Sequence, residues 1–393
     1  MRSLITFALI LICSTLTWAQ KDRYKFAQTY IGTQADVIGG ADSPEFISGR
    51  FLIGGTHFWQ KADFYISFPL ITLALEDTNW DFGEGVITGF RYIPFGLSKK
   101  GPRPFFGVQW LTPDFRIDNG PVIERSKFGI QGGLTLAFGS LFTLEVSGHH
   151  VLNQDVYYPT SRMQSQTFNP PDFGVSLGIK KYMDTTSNLS KSEVQEFQRQ
   201  RYSRFEEEGK LSTWSIGIGL SANVSTSDIP ALRAYDFLPN RPPLSLFPDV
   251  VAGYYFHKAD AAIRASWRPL KLSDKAYGLD YEIRQNRIGI EAFKFLFDYK
   301  GFVPFLGVTA GMDYLDYEIA DIEGPGFSGT YSTFSYGIAF GWDIRVTETD
   351  PYILRTNLRY IFQSDPSGNE LNVSGQHLEI NFIQLVLYPG RWN

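Results

Sequence analysis

Residues Ile216-Gly217-Ile218-Gly219-Leu220-Ser221-Ala222-Asn223-Val224 alternate strictly, with apolar side chains at every second position and small or polar ones between. Phe173 to Lys180 repeats the pattern, and Leu354 to Tyr360 repeats it with Arg355 and Arg359 on the polar side. Successive side chains of an extended chain point to opposite faces, so this alternation demands a sheet that meets a different solvent on each face. A helical membrane span needs about 18 consecutive apolar residues, and no such run follows the N-terminal segment. The mean hydropathy of −0.15 fits a strand-crossed membrane protein, because only every second strand residue would face lipid.

Strands are expected near 28–37, 47–58, 62–75, 83–96, 103–112, 126–138, 141–152 and 172–183. A second series is expected near 213–225, 248–257, 260–268, 280–297, 303–317, 331–345, 352–363 and 376–388. Short connections (Trp59 to Lys61, Gly139-Ser140, His257-Lys258) alternate with long ones (Thr112–Arg125, Asn153–Pro171, Thr226–Phe247, Asp316–Thr330) rich in Pro, Gly, Asp and Asn. Short turns on one side and long loops on the other describe an outer-membrane barrel with periplasmic turns and extracellular loops. Aromatic residues gather beside the short turns: Phe58, Trp59, Tyr92, Phe95, Phe105, Phe138, Phe142, Phe256, Phe297, Tyr299, Trp342 and Tyr352. Such rings prefer the headgroup boundary, and they mark an expected inner girdle.

The N-terminus supplies the address. Arg2, the apolar run Leu4 to Leu16 and Thr17-Trp18-Ala19 before Gln20 read as a cleaved signal peptide, 1–19. The one cysteine, Cys13, falls inside it and follows Ile12 rather than the small residue lipidation would want. A mature chain without thiols excludes disulfides and cysteine chemistry. With 36 basic and 41 acidic residues the chain lacks the basic excess of a nucleic-acid partner.

The chain also matches itself at an offset near 200 residues. Lys61-Ala62-Asp63 matches Lys258-Ala259-Asp260, Gly89 to Ile93 matches Ala292 to Leu296, and Pro104 to Val108 matches Pro304 to Val308. A duplicated unit of about eight strands accounts for all three. Between the halves, Ser190 and Glu193 form a capping box ahead of Val194, Phe197, Arg201 and Phe205, which predicts a helical periplasmic linker over 185–212. The expected organisation is signal peptide 1–19, first barrel half 20–184, linker 185–212 and second barrel half 213–393. Duplication allows one up-and-down antiparallel barrel of about 16 strands or two tandem 8-stranded barrels. Inward glycines and serines (Gly174, Ser176, Gly178, Gly217, Gly219, Ser221, Gly307, Gly311) fill a narrow barrel poorly unless large residues oppose them, so one wide barrel is the expected form. Around Ile288 to Leu296 and Phe382 to Leu387 the alternation slips, as a bulge would cause.

The signal ending in Ala-Gln, the Pro-Phe-x-Gly-Val strand starts and the closing strand His377 to Tyr388 resemble outer-membrane β-barrel proteins of Bacteroidota. The eight-strand unit is similar to small barrels of the OmpX/OmpW kind. The resemblance implies location and fold, with outer-membrane lipid, lipopolysaccharide and the barrel-assembly machinery as partners, and no substrate. Barrels of this kind usually end on an aromatic residue, whereas here Trp392 is followed by Asn393.

Catalytic motifs are thin: the spacing Gly-x-Ser-x-Gly occurs at Gly174–Gly178, but inside an alternating strand and not at the strand-to-helix turn of a nucleophile elbow, and there is no phosphate loop or His-Glu-x-x-His. His149-His150 point to opposite faces of a strand and cannot chelate one metal. The acidic loop of Asp316, Asp321 and Glu323 is expected to be solvated rather than a calcium site. No cofactor, metal or enzymatic activity is expected. Charged lumen candidates are Arg264, Arg268, Arg355 and Arg359 with Glu145 and Glu379. They point to a passive or weakly selective diffusion channel for small solutes whose field sets selectivity, unless the arginines pair with the carboxylates and block flow. The other expectation is a non-enzymatic anchor or surface protein that binds a protein partner through its long loops, with Tyr157, Tyr158, Phe237 and Phe327 as contacts.

Overall fold

The computed structural model describes residues 28–392, apart from 41–42, 59, 97–100, 125, 139–140, 153–155, 184–190, 230, 233–234, 240–243, 300, 323, 325, 346–347 and 364–374. The signal peptide, Trp59, Ser190 of the capping box, Glu323 and Asn393 lie outside the described residues.

The chain divides into two compact units. In the first, β1 (Gln28–Gly40), β2 (Ser43–His57), β3 (Ala62–Ala74), β4 (Ile87–Tyr92), β5 (Pro102–Leu111), β6 (Lys127–Phe138), β7 (Phe142–Val151) and β8 (Phe173–Tyr182) form a closed antiparallel barrel. In the second, the strands are β9 (Thr213–Ser225), β10 (Ser245–Phe256), β11 (Ala261–Ala276) and β12 (Leu279–Phe295). They continue with β13 (Phe302–Asp321), β14 (Phe327–Ile344), β15 (Tyr352–Gln363) and β16 (His377–Leu387), and close a second barrel. A helix, α1 (Lys191–Glu207), precedes β9. The second unit also takes in residues 119–124 and 159–165.

All sixteen expected strands form, but they close as two barrels of eight and not as one of sixteen. β1 pairs with β8, from Tyr30↔Tyr182 to Gly39↔Phe173, and β9 pairs with β16. The small inward residues that argued for a wide lumen are opposed by large ones. A side chain on Gly89 would start 2.1 Å from Tyr65, one on Gly174 2.3 Å from His149, and one on Gly307 2.1 Å from Phe293. Each glycine is the space that a neighbouring strand's ring occupies, as an eight-strand interior requires.

The duplication places Pro104–Val108 on β5 and Pro304–Val308 on β13, the same strand of each barrel. Lys61–Asp63 and Lys258–Asp260 mark the same turn of each. The third match shares a strand but slips by one residue, because Arg91 faces inward and Lys294 outward.

The walls show where the membrane lies. On β13, Leu306, Val308, Ala310, Met312 and Tyr314 face outward over nine residues, about the length a tilted strand needs to span. Beyond them the outward positions become Asp316 and Glu318. The inward positions switch the other way, from Thr309 and Asp313 to Leu315, Tyr317 and Ile319. β11 reverses at the same level: Ile263 and Trp267 give way outside to Lys271 and Lys275, while Arg264 and Arg268 give way inside to Leu270 and Leu272. A strand that leaves lipid for water must exchange the polarity of its faces, because its inner face there meets protein and its outer face meets solvent. The expected inner girdle is partly realised: Phe58, Tyr92, Phe95, Phe256, Phe297, Tyr299 and Tyr352 are exposed on the walls, whereas Phe105 turns into the first barrel.

The long loops are folded. In the first unit Trp80–Gly83 pairs with Asp114–Ile117 as a small sheet. Trp80 stacks on Phe115 there (5.9 Å between centroids), and Phe115 meets Tyr158 at 5.4 Å. In the second unit, Ile229, Leu232, Phe237 and Leu238 of the loop between β9 and β10 fold onto the apolar inner face of β11, β12 and β13.

Candidate functional site

The charged residues singled out from the sequence lie inside the barrels. Alternation sends every second residue of β10, β11, β12 and β15 inward, as it does Glu379 of β16 ahead of a register shift near Phe382, and these positions carry most of the buried charge. In the second barrel five arginines (Arg264, Arg268, Arg287, Arg355, Arg359), each no more than 1 % exposed, stand among Asp249, Glu291, Asp313, Asp343 and Glu379. Glu291 is the hub. It accepts from Arg264 (2.8 Å), forms an ion pair with Arg359 at 2.8 Å and is in closer contact with Arg268. Asp249 accepts from Arg268 (3.1 Å) and Arg359 (3.0 Å), and Arg355 holds both oxygens of Asp343 at 2.5 and 2.7 Å. Glu379 lies 3.4 Å from Arg268, 3.6 Å from Arg287 and 3.7 Å from Arg359. Rings flank the guanidinium groups: Arg264 sits over Phe293 at 4.5 Å and Arg355 over Phe305 at 5.1 Å.

Glu145 belongs to the other barrel and meets none of these arginines. It accepts from Arg91 (2.5 Å) and Lys180 (2.8 Å), while Lys180 and the Tyr30 hydroxyl reach Asp63 at 3.1 and 2.7 Å. Arg50 bonds Glu84 at 2.6 Å. Hydrogen-bonded opposite charges offset much of their desolvation inside a barrel, while Arg287 lies 3.6 Å from Glu379 and 3.9 Å from Asp313 and donates to Thr309 Oγ1 at 3.3 Å.

The chain's last described residues pack at the short-turn end of the second barrel. Arg391 is buried, lies over Tyr388 at 4.3 Å and donates to Leu211 O at 3.0 Å and Asp350 O at 3.3 Å. Arg201 of α1 donates to Arg391 O at 3.0 Å. The helix expected as a linker is thus tied to the mouth of this barrel. Neither Arg391 nor the hub Glu291 stands out in the sequence. Glu291 sits on β12 in the stretch where the alternation suggests a slip, and the observed register is continuous there.

The loop candidates divide. Tyr157 is 66 % exposed, but Tyr158 is fully buried, donates its hydroxyl to Ile117 O at 3.2 Å and accepts from Ile117 N at 2.8 Å. Phe237 is buried in the apolar cluster above the second barrel, and Phe327 packs against it. Three of the four expected contact residues therefore hold the loops together, since aromatic side chains in a loop this long bury themselves when a concave apolar face is within reach. Among the described residues no group of three or more His, Cys, Asp or Glu side chains converges.

Closed eight-stranded barrels, with an apolar wall of membrane height outside and ion pairs inside, define the class: this is an outer-membrane-type β-barrel protein, built of two such barrels in tandem. No family model matches the chain, and no curated protein matches it. Among solved structures it is similar to Neisserial surface protein A, at 15 % identity over 45 % of this chain and 98 % of that one, TM-score 0.32. It is similar to Ail, the attachment invasion locus protein of Yersinia pestis, at 12 % identity over 45 % of this chain and 97 % of that one, TM-score 0.29. The β domain of the Bordetella autotransporter BrkA matches at 7 % identity over 93 % of this chain and 100 % of that one, TM-score 0.24. At such TM-scores these similarities add nothing to the class, which rests on the barrels and their walls.

Proposed function

We propose that this chain is a non-enzymatic outer-membrane anchor whose barrels hold folded loop modules at the cell surface, and that it does not serve as a diffusion channel. The supporting observation is the filled interior of the second barrel, where all five arginines of the network are no more than 1 % exposed and four of them, Arg264, Arg268, Arg355 and Arg359, hydrogen-bond carboxylates. A guanidinium satisfied in this way offers little field to a permeant ion, and its side chain occupies the space a water column needs. The folded loops support the other half of the proposal, since an anchor needs a module to present. The proposed partners are outer-membrane lipid and lipopolysaccharide around the walls, the barrel-assembly machinery during insertion, and a protein met by exposed loop residues such as Tyr157. No nucleic acid or cofactor is invoked. Export by the 1–19 signal peptide and an origin in Bacteroidota belong to the same proposal.

The test is conductance of the refolded chain in a planar bilayer, with folding checked independently. The expected result is a silent membrane. Large, steady, reproducible openings would overturn the anchor proposal and return Arg264, Arg268, Arg355 and Arg359 to the role of selectivity residues.

A further inference from the structure

The first barrel holds its buried charge in two groups. Nearer the short turns, Asp63 and Glu145 stand against Arg91 and Lys180, two carboxylates with two cations. Nearer the long loops, buried Asp36 and Glu84 stand against Arg50, with buried His149 close to Glu84. An imidazole is neutral above its ordinary value of about 6.5, and with His149 in that form the second group carries one net negative charge.

Arg50 is committed away from Asp36. It donates through Nη1 to Glu84 Oε2 at 2.6 Å, through Nε to Ser67 Oγ at 2.6 Å, and through Nη2 to Ser67 O at 3.0 Å and Gly85 O at 2.8 Å. Asp36 Oδ1 accepts from Gln34 Nε2 at 2.6 Å. Asp36 Oδ2 lies 4.0 Å from Arg50 Nε, whose hydrogen goes to Ser67, and accepts no hydrogen bond among the described residues. The hydroxyls of Ser48 and Ser176, the latter beside the Asp36 carboxylate, are likewise buried with no hydrogen-bond partner there. The register brings these oxygens together. Asp36 pairs with Ser176 on β8 and with Ser48 on β2, so all three side chains point inward at one level. Directly opposed Cβ atoms lie about 4.5–5.5 Å apart, within reach of one shared ion. No ring fills the neighbouring space. A side chain on Gly178, opposite Gln34, would meet nothing nearer than 3.4 Å, whereas those on Gly89 and Gly174 would meet rings at 2.1 and 2.3 Å.

A buried carboxylate with an unmet oxygen is costly, and an uncompensated charge inside a barrel more so. We propose that Asp36, Ser48 and Ser176 bind one small, hard, monovalent cation, of the size and charge of sodium, inside the first barrel. One carboxylate and two hydroxyls are an all-oxygen donor set, which suits a hard ion and not a transition metal. The single uncompensated charge sets the valence, since a divalent ion would leave the group one charge positive.

The experiment measures urea-driven unfolding of the full chain, refolded in zwitterionic phosphatidylcholine vesicles, at about pH 8, above the histidine range. Sodium chloride is compared with choline chloride at equal ionic strength, because choline is too large for the site. An ion held only by the folded state slows unfolding, and the unmodified chain should unfold at least about fivefold more slowly in sodium. Asp36→Asn should erase the difference, and Ser48→Ala with Ser176→Ala should reduce it while keeping the charge. Asp63→Asn, in the balanced group, should leave the ratio unchanged. Equal rates of the unmodified chain in the two salts overturn the cation site, whether or not Asp36→Asn folds. Unfolding that slows on acidification in choline and ignores sodium means that a proton supplies the missing charge, which also overturns it. A sodium effect of full size in Asp36→Asn or in the double serine variant overturns the assignment to these residues.

Discussion

Glu291 is the most exacting test of the filled interior. It is fully buried on β12 and holds Arg264 and Arg359 at 2.8 Å and Arg268 in closer contact. Glu291→Gln keeps its shape and removes its charge. Arg264 is then left with Gln384 at 2.9 Å and the face of Phe293 as its near partners. A unit pair 4 Å apart at an effective dielectric near 20 is worth about 4 kcal/mol, so three such pairs give about 12 kcal/mol gross. Most of that is offset by the desolvation the carboxylate no longer suffers, and breaking a buried pair costs about 3–5 kcal/mol net. Denaturant unfolding in lipid vesicles should show this loss for Glu291→Gln. The same change at Glu282, which pairs with Lys271 at 2.7 Å on the exposed outer face of β12, should cost less than about 1 kcal/mol. Adding Arg264→Gln to Glu291→Gln removes one unpaired cation, and the double-mutant cycle should give a coupling above about 1.5 kcal/mol. A loss under about 1 kcal/mol at Glu291, or no coupling to Arg264, would mean that water screens these charges, and the filled-barrel account would fail.

Three further outcomes follow from the same structure. Burial, with Asp81 close by, pushes the Asp114 carboxyl of the first unit's loop sheet up to about 6. An acid whose folded value lies above its unfolded value of about 3.9 stabilises fully below that value and loses the contribution as pH rises through 6, by at most about 3 kcal/mol here. Amides of Trp80–Gly83 should exchange faster at pH 7.5 than at pH 5 after correction for intrinsic rates, and Asp114→Asn should remove the difference; a pH-independent wild type refutes it. Gly89→Val drives a side chain into Tyr65, 2.1 Å from its Cβ position, and should cost at least about 3 kcal/mol in vesicle unfolding. A neutral result there would mean that the first barrel has slack. Leu232→Ala empties a fully buried site in the loop cluster and should cost about 2–4 kcal/mol, read as faster exchange across the loop between β9 and β10 with β14 unchanged. Unaltered loop protection would show that the loop is held by something other than its apolar core.

Much of the candidate site is legible in the sequence. The inward assignments of Glu145, Arg264, Arg268, Arg355, Arg359 and Glu379 follow from the parity of each residue within its strand, and the structure places all of them inside. Parity does not say which charge meets which. It groups Glu145 with the arginines of the second half, yet the partners of Glu145 are Arg91 and Lys180. The loop aromatics mislead for a related reason. Tyr158, Phe237 and Phe327 occur among Pro, Gly and Asp as exposed contacts would, and only the concave apolar face of β11 to β13 shows why Phe237 is buried and Phe327 half-buried.

Sequence alone determined the strands, their facing and the short turns, because alternation and turn chemistry are properties of neighbouring residues. Only the tertiary structure decided where β1 finds its second partner. Pairing Tyr30 with Tyr182 closes eight strands, while pairing it with the chain's last strand would close sixteen, and the alternation of β1 is the same in both cases. What separates them is whether a ring on one strand fills the space above a glycine on the next, as Tyr65 does above Gly89. That contact joins residues distant in sequence, and no local pattern records it.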